Sequence, residues 1–357
     1  MKITEKKVIG KAFVGIDVHK KSWKVCLLGE GGFRKEFSCN PTVKVFKQSL
    51  ENILPDFSFH CAYEAGFSGF WLHDELNALS NFECIVVNPA DIPTSDKERA
   101  QKEDRRDARK IATQLKAGAL KGIYVPSSSE VGLRELQRLR FTITKDSTRA
   151  KVRIKAFLMR HGIEVPKELF PTAQHHWSGK FIKWLRSIKL SCAAMRFTLD
   201  QMIDAAVTLR EQLAAILHEI RHQIQSRGKE KICAKLMQIP GIGVVGSSTI
   251  ITEIVDIKRF STYTKYHSFI GLIPSTNNSA DIEKIRGITI RANTRLRTTF
   301  VEAAWIAIQR NSELYHLYHE LKQRMNPNKA IIRVAKKLAS RVRYVMLEHE
   351  NEKLQSA

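Results

Sequence analysis

Apolar and polar positions divide the chain into three textures. The first is short and alternating. Phe13 to Ile16 is an apolar-rich run that turns polar at Asp17-Val18-His19-Lys20, and a second run, Trp23 to Leu28, follows at once. This predicts a buried strand ending in a carboxylate, a short turn and an antiparallel partner, so residues 12–28 read as two strands. After the turn signal Gly29-Glu30-Gly31-Gly32, Phe33 to Ser38 reads as a third strand. Val45, Phe46, Leu50, Ile53 and Leu54 recur at helical spacing and predict a helix over Pro41–Leu54. Phe57 to Tyr63 reads as a strand running out into Glu64-Ala65-Gly66, followed by a helix from Phe67 to Leu79. Phe82 to Val87 reads as a fifth strand closed by Asn88-Pro89, and the charged stretch Ser95 to Arg106 leads into a helix from Asp104 to Ala117.

Three strands, helix, strand, helix, strand, helix is the element order of a ribonuclease-H-like (RuvC-like) α/β fold, a mixed sheet whose first three strands form an antiparallel meander. The second texture, from Ser128 to Gly228, is all helix. Leu133, Leu136, Leu139 and Ile143 recur amid many Arg and Lys, and Met202, Ile203, Ala206, Leu209, Leu213, Ile216, Leu217 and Ile220 approximate heptads. A coiled-coil arm and a plain helical bundle both satisfy that pattern, which Gly162, Pro166 and Pro171 interrupt. The third texture starts near Lys231. Leu236-Met237-Gln238-Ile239-Pro240-Gly241-Ile242-Gly243 ends one helix in a turn before another from Val244 to Ile254, a helix-hairpin-helix pattern. Its glycines suit close approach to a phosphate, although the same turn also serves helices that merely pack. The segment from Asn311 to Ala357 reads as closing helices with basic outer positions. The expected organisation is therefore a RuvC-like domain over 1–127, a helical or coiled-coil domain over 128–230, and a mainly helical C-terminal domain over 231–357.

Charge narrows the function. Lys and Arg number 59 against 36 Asp and Glu, a formal net charge of +23. Such an excess predicts a polyanionic partner, above all nucleic acid. No apolar run is long enough to span a bilayer, and the first ten residues are polar and basic, unlike a signal peptide. The six cysteines, Cys26, Cys39, Cys61, Cys84, Cys192 and Cys233, form no Cys-x-x-Cys pair. That argues against a structural zinc site and for a reducing, cytosolic setting of prokaryotic type.

Several carboxylates are placed to meet. In a ribonuclease-H-like sheet the first and fourth strands are neighbours, which would bring Asp17 and Glu64 together. Asp104 and Asp107 share a face of the last helix of that domain. Four acidic groups suit a hard cation such as magnesium, and two such ions can clamp a phosphodiester transfer. Each residue has a plainer reading: Asp17 as a turn residue, Glu64 as a surface residue, Asp104 or Asp107 as helix N-terminal acids. Asp96, Glu98 and Glu103 are acidic neighbours without an assigned role.

Val14-Gly15-Ile16-Asp17-Val18-His19-Lys20, Tyr63-Glu64-Ala65-Gly66 and Asp104-Arg105-Arg106-Asp107-Ala108 resemble the Asp-Glu-Asp-Asp motifs of the bacterial insertion-sequence transposases called the one-ten family. Ile239-Pro240-Gly241-Ile242-Gly243, Arg259-Phe260, Gly271-Leu272-Ile273-Pro274, Arg286-Gly287-Ile288-Thr289, Asn293 with Leu296-Arg297, and Ala303-Ala304-Trp305 continue the resemblance in the family's order. The resemblance implies a recombinase that uses magnesium at an Asp17, Glu64, Asp104, Asp107 tetrad and a C-terminal serine that bonds covalently to DNA phosphate. It implies guidance by a bridge RNA that pairs with donor and target DNA. It also implies a homo-oligomer, dimer or tetramer, in which tetrad and serine meet across subunits. The family's serine lies in a Ser-Ser-Gly-like patch. Here alignment places Ser279 on the second serine, Asn278 on the first and Ala280 on the glycine, a departure that leaves Ser275 as a second candidate. Lys284, Arg286, Arg291, Arg295 and Arg297 crowd the same region as candidate phosphate contacts or as a solvated face.

Three functions are thus in view: an RNA-guided, serine-dependent transposase acting in the bacterial cytoplasm on nucleoid DNA, a RuvC-like metal-dependent nuclease or junction resolvase that needs no serine, and a non-catalytic RNA- or DNA-binding protein that keeps the fold.

Overall fold

The computed structural model describes residues 10–92, 104–172, 176–279, 282–289 and 291–355. The chain forms two compact units, 1–125 and 126–357.

The first unit is a five-stranded mixed sheet of order β3-β2-β1-β4-β5, with β1 Gly10–Val18, β2 Trp23–Leu28, β3 Arg34–Cys39, β4 Phe57–Glu64 and β5 Phe82–Val87. β1 pairs antiparallel with β2 and parallel with β4; β2–β3 is antiparallel and β4–β5 parallel. This is the meander and crossover order of the ribonuclease-H-like reading. Alternation sorts the strands into two faces. Val14, Ile16, Val25, Phe59 and Tyr63 bury with Phe46 of α1 (Val43–Ile53) and Leu72 of α2 (Trp71–Asn77). Cys26 packs with Ala108 and Ala112 of α3 (Asp104–Lys116), while Ala62 and Val87 pack with Ile111. Thr42 caps α1 through Val45 N, so that helix starts two residues after Pro41. α2 is shorter than the expected Phe67–Leu79, because residues 66–69 form a turn with Gly69 at φ +61.

α3 lies very close to the sheet. A Cβ on Gly15 would sit 2.0 Å from the Ala108 carbonyl oxygen and 2.5 Å from the Ala112 nitrogen. Only glycine allows this seat. Glu36 on β3 clamps the helix from the side, accepting from Arg109 Nε at 2.7 Å and Nη2 at 3.0 Å. The Arg109 guanidinium, with Arg34 beside it, holds the Glu36 carboxyl down at about 2.

Among the described residues the second unit is helical apart from one hairpin. α4 (Ser128–Arg160) and α6 (Ala193–Ser226) run antiparallel, each roughly 50 Å long. Leu199 and Ile203 near the start of α6 bury with Ile154 and Phe157 near the end of α4, and at the other end Arg227 Nη1 donates to the Ser129 carbonyl at 2.7 Å. α5 (Gly179–Ser187), for which the interrupted pattern after Gly162 gave no expectation, is capped by Ser178 and inserts Phe181 and Leu185 into that core. α7 (Glu230–Met237), α8 (Val244–Ile254), α9 (Tyr263–Ile270), α10 (Thr294–Arg310), α11 (Ser312–Arg324) and α12 (Pro327–Gln355) enclose a separate core around Leu236, Ile250, Tyr266, Phe300, Ala304 and Val334. Between α9 and α10, Pro274–Ser279 and Ile282–Ile288 pair as an antiparallel hairpin, β6–β7. This stretch reads from sequence as a polar loop, because Ser275 to Ala280 has no apolar alternation; backbone pairing makes it a hairpin instead.

Candidate active site

Register decides what the sheet brings together. On β1 and β4, Gly15 pairs with Ala62 and Ile16 with Tyr63, so Asp17 and Glu64 are the next residues along two hydrogen-bonded parallel strands. Such strands run about 4.8 Å apart. Asp17 is two residues beyond Gly15, and Glu64 two beyond Ala62. Alternation therefore places both positions on the face that α3 covers. The direction of α3 follows from its ends. Lys116, its last residue, donates to the Gly29 carbonyl at 2.7 Å, beside the Phe13–Leu28 pair near the start of β1. Ala108 and Ala112 sit over Gly15. The helix therefore runs against β1, and its first turn, which carries Asp104 and Asp107, lies at the end of β1 that carries Asp17.

Asp17 is 21% exposed, and its Oδ2 lies 2.8 Å from His19 Nε2. The contact holds the carboxylate from one side. His19 was not singled out from sequence, although residues two apart at a strand end fall on one face. Glu64, the last residue of β4, is exposed. Asp107 is partly buried, with Lys110 Nζ 3.9 Å from its Oδ1. Among the described residues no three His, Cys, Asp or Glu close into a complete metal-binding group. Asp96, Glu98 and Glu103 lie outside the described residues.

The donor chemistry still fits a hard divalent cation. Magnesium is commonly held by one or two carboxylates, with waters and substrate phosphates completing its octahedron. Carboxylates at the ends of two neighbouring strands match that requirement, and Asp17 and Glu64 are the residues that would hold it, with Asp107 and the Asp104 position in the helix turn above them.

The serine candidates lie in the second unit. Ser279 ends β6 and pairs with Ile282 beside the hairpin turn; Ser275 pairs with Arg286 near the base. The base is strongly tied. Thr289 N donates to the Ile273 carbonyl at 3.1 Å, and Arg297 Nη2 donates to the Thr289 carbonyl at 2.8 Å. Asn293 caps α10 through Leu296 N, and its Nδ2 donates to Glu253 Oε2 at 2.8 Å. Glu253, on α8, is fully buried and accepts from Arg138 of α4 at 3.2 and 3.4 Å, while Arg134 Nε lies 3.9 Å from it. This buried cluster joins α4, α8 and the hairpin's exit, and sequence alone did not point to it. A cavity of about 430 Å³ opens beside the hairpin base, lined by Leu272, Pro274, Ile288, Lys329, Ile332 and Arg333.

The turn between α7 and α8 has one constrained glycine. Gly241 adopts φ +84, and a Cβ there would lie 2.1 Å from the Ala303 carbonyl oxygen. Its freedom serves the packing of α10.

Comparison with known proteins adds the family. Residues 14–163 match the DEDD transposase domain of the IS110 group, and residues 233–319 match the domain described as Transposase IS116/IS110/IS902 family. A putative transposase of Sinorhizobium fredii is 28% identical over 303 residues, 83% of this chain and 71% of the relative. The transposase for insertion sequence element IS1533 of Leptospira borgpetersenii is 25% identical over 301 residues, 83% of this chain and 85% of the relative. A second putative transposase of Sinorhizobium fredii is 24% identical over 337 residues, 84% of this chain and 81% of the relative. A DEDD transposase domain implies a divalent metal ion, and transposition implies DNA as substrate. Among the described residues no helix is long and apolar enough to cross a membrane. With the two family domains together spanning more than half of its length, the chain belongs to the IS116/IS110/IS902 transposase family, enzymes that cleave and join DNA.

Proposed function

We propose that this transposase works through a magnesium site of Asp17, Glu64, Asp104 and Asp107 and a nucleophilic Ser279. The observation that carries the reading is the β1–β4 register, which makes Asp17 and Glu64 neighbours beneath the first turn of α3. Magnesium at these carboxylates supplies charge neutralisation to the scissile phosphate. Ser279 Oγ attacks phosphorus; an Oγ–P bond forms as the bond from phosphorus to the leaving nucleotide oxygen breaks. The serine proton passes to water and the leaving oxygen is protonated. The hydroxyl of the incoming strand then attacks the phosphoserine, forming the new phosphodiester and restoring the serine. Ser275 is the alternative nucleophile. Cations beside the hairpin, Arg291 and Arg295 among them, hold the phosphate.

The same reading gives the first unit a RuvC-like role, makes the long α4–α6 pair a coiled-coil arm for homo-oligomer assembly (dimer or tetramer), and lets the Pro240-Gly241-Ile242-Gly243 turn act as a helix-hairpin-helix phosphate contact. A bridge RNA pairing with donor and target DNA selects the sites, and the enzyme works in the bacterial cytoplasm on nucleoid DNA. The strong positive charge, +23, supports nucleic-acid contact on this scale.

The test is a recombination assay on DNA carrying the ends of the chain's own element, with and without the RNA transcribed from that end. Asp17→Asn and Ser279→Ala are both expected to abolish strand exchange. Normal exchange by Ser279→Ala with a dead Asp17→Asn would leave a metal-only, RuvC-like nuclease mechanism. Absence of cleavage by wild type in magnesium, with DNA binding intact, would favour a binding protein that keeps the fold.

A further inference from the structure

The end of the sheet that carries the acids also displays an aromatic side chain. Phe67, three residues after Glu64, is 76% exposed and stays outside the hydrophobic core beneath it. Single exposed apolar residues are common and need no explanation. Phe67 differs because its loop is tied. Gly69 N donates to the Gly66 carbonyl at 3.2 Å, closing a turn that carries Phe67. The buried Tyr63 hydroxyl donates to the Gly69 carbonyl at 2.9 Å and accepts from His73 N at 3.3 Å. Ala65 N donates to the Val87 carbonyl, continuing β4 along β5. The turn is fixed at both ends, yet it holds a large apolar ring out in water. Burying a Phe is worth about 1.5–3 kcal/mol, so the arrangement forgoes stability that a polar residue would not offer.

The surroundings identify the partner. Three residues reach at most about 11 Å, so the Phe67 backbone stays within that distance of Glu64. Lys20 and Lys21, in the turn joining β1 to β2, are exposed at the same end of the sheet. An exposed ring and two exposed cations at the strand ends that carry a pair of carboxylates form a surface that fits one strand of DNA. The cations meet phosphates and the ring meets a base. Rings stack on unpaired bases without sequence preference.

We propose that Phe67 is a stacking residue that holds an unpaired base of the DNA strand next to the phosphate at Asp17 and Glu64. The proposal rests on the acid-site reading of the preceding subsection. It gives that site a substrate state: a strand opened from its partner, with one base swung onto the Phe67 ring.

The test uses the full-length protein in EDTA, so that binding is read without cleavage. The probes are a single-stranded DNA oligonucleotide carrying a fluorescent adenine analogue, the corresponding duplex, and RNA of the same sequence. Stacking quenches the analogue and gives the dissociation constant. Phe67→Ala is expected to weaken single-stranded DNA binding by about five- to 150-fold, the loss of one base–aromatic stack, and to leave duplex affinity unchanged. Phe67→Trp is expected to retain both affinity and quenching. Unchanged single-strand affinity in Phe67→Ala, equal loss on duplex, or loss confined to the RNA would each overturn the proposal. Asp17→Asn separates the two readings. Its strand cleavage in magnesium reports on the acid site alone, and the EDTA titration of Phe67→Ala reports on stacking alone.

Discussion

The seat of α3 on β1 can be tested with one methyl group. Gly15→Ala places a Cβ 2.0 Å from the Ala108 carbonyl oxygen and 2.5 Å from the Ala112 nitrogen, where real Cβ atoms do not approach below 3.0 Å. Both obstacles are backbone, so no rotamer change relieves them. The helix must retreat by roughly 1 Å, and overpacking of this kind costs about 1–3 kcal/mol. The same retreat carries Asp104 and Asp107 away from Asp17 and Glu64. A displacement near 1 Å at reacting groups can cost about a hundredfold in rate. Differential scanning calorimetry of Gly15→Ala should therefore show a melting point several degrees lower, and strand cleavage should fall by about two orders of magnitude. Gly132→Ala is the control. That glycine lies inside α4 with nothing within 4 Å of its added Cβ, and alanine there should stabilise by about 0.5–1 kcal/mol. A Gly15→Ala protein with wild-type melting and wild-type cleavage would refute both the seat and the role given to α3.

Two further outcomes follow from the ion pairs. Arg109 holds Glu36 at about 2 against an ordinary value of 4.5, so its contribution is fully present above pH 4.5 and is lost as pH falls towards 2; Glu36→Gln should flatten stability against pH in that window, as followed by urea unfolding, and an unchanged slope would contradict the clamp. Glu253→Ala removes a fully buried carboxylate from Arg138 and Asn293 and should cost about 3–5 kcal/mol in denaturant unfolding, with Glu253→Gln costing less because it keeps an acceptor for Asn293; equal losses in the two variants would show that the retained acceptor contributes nothing.

Legibility followed the physics of each element. β1, β4 and β5 were readable because each is a compact apolar run with a polar end, and the two carboxylates were readable because they stand at those ends. The neighbourhood of Asp17 and Glu64 came from the strand order, which the mixed sheet reproduces. What was missed depends on long-range packing. Gly15 is decisive only because α3 crosses it, and nothing local to Val14-Gly15-Ile16 announces the crossing. Glu253 sits among Ile250, Ile251 and Ile254, and only the fold brings Arg138 from more than a hundred positions away. The β6–β7 hairpin is carried by backbone pairing across Thr276-Asn277-Asn278, where the side-chain pattern is silent. α5 was hidden by its shortness and by Gly162, Pro166 and Pro171 before it.

The account's central claim is that carboxylates in the first unit and a serine far along the chain serve one reaction. The most direct measurement is peptide mapping, by mass spectrometry, of covalent protein–DNA adduct formed by the full-length protein on its element's DNA with magnesium. The prediction is a nucleotide-bearing peptide containing Ser279, absent in Ser279→Ala and strongly reduced in Asp17→Asn. No adduct in wild type during active strand exchange, or an adduct that Asp17→Asn leaves undiminished, would contradict it; an adduct on Ser275 that Ser279→Ala leaves intact would move the nucleophile to Ser275.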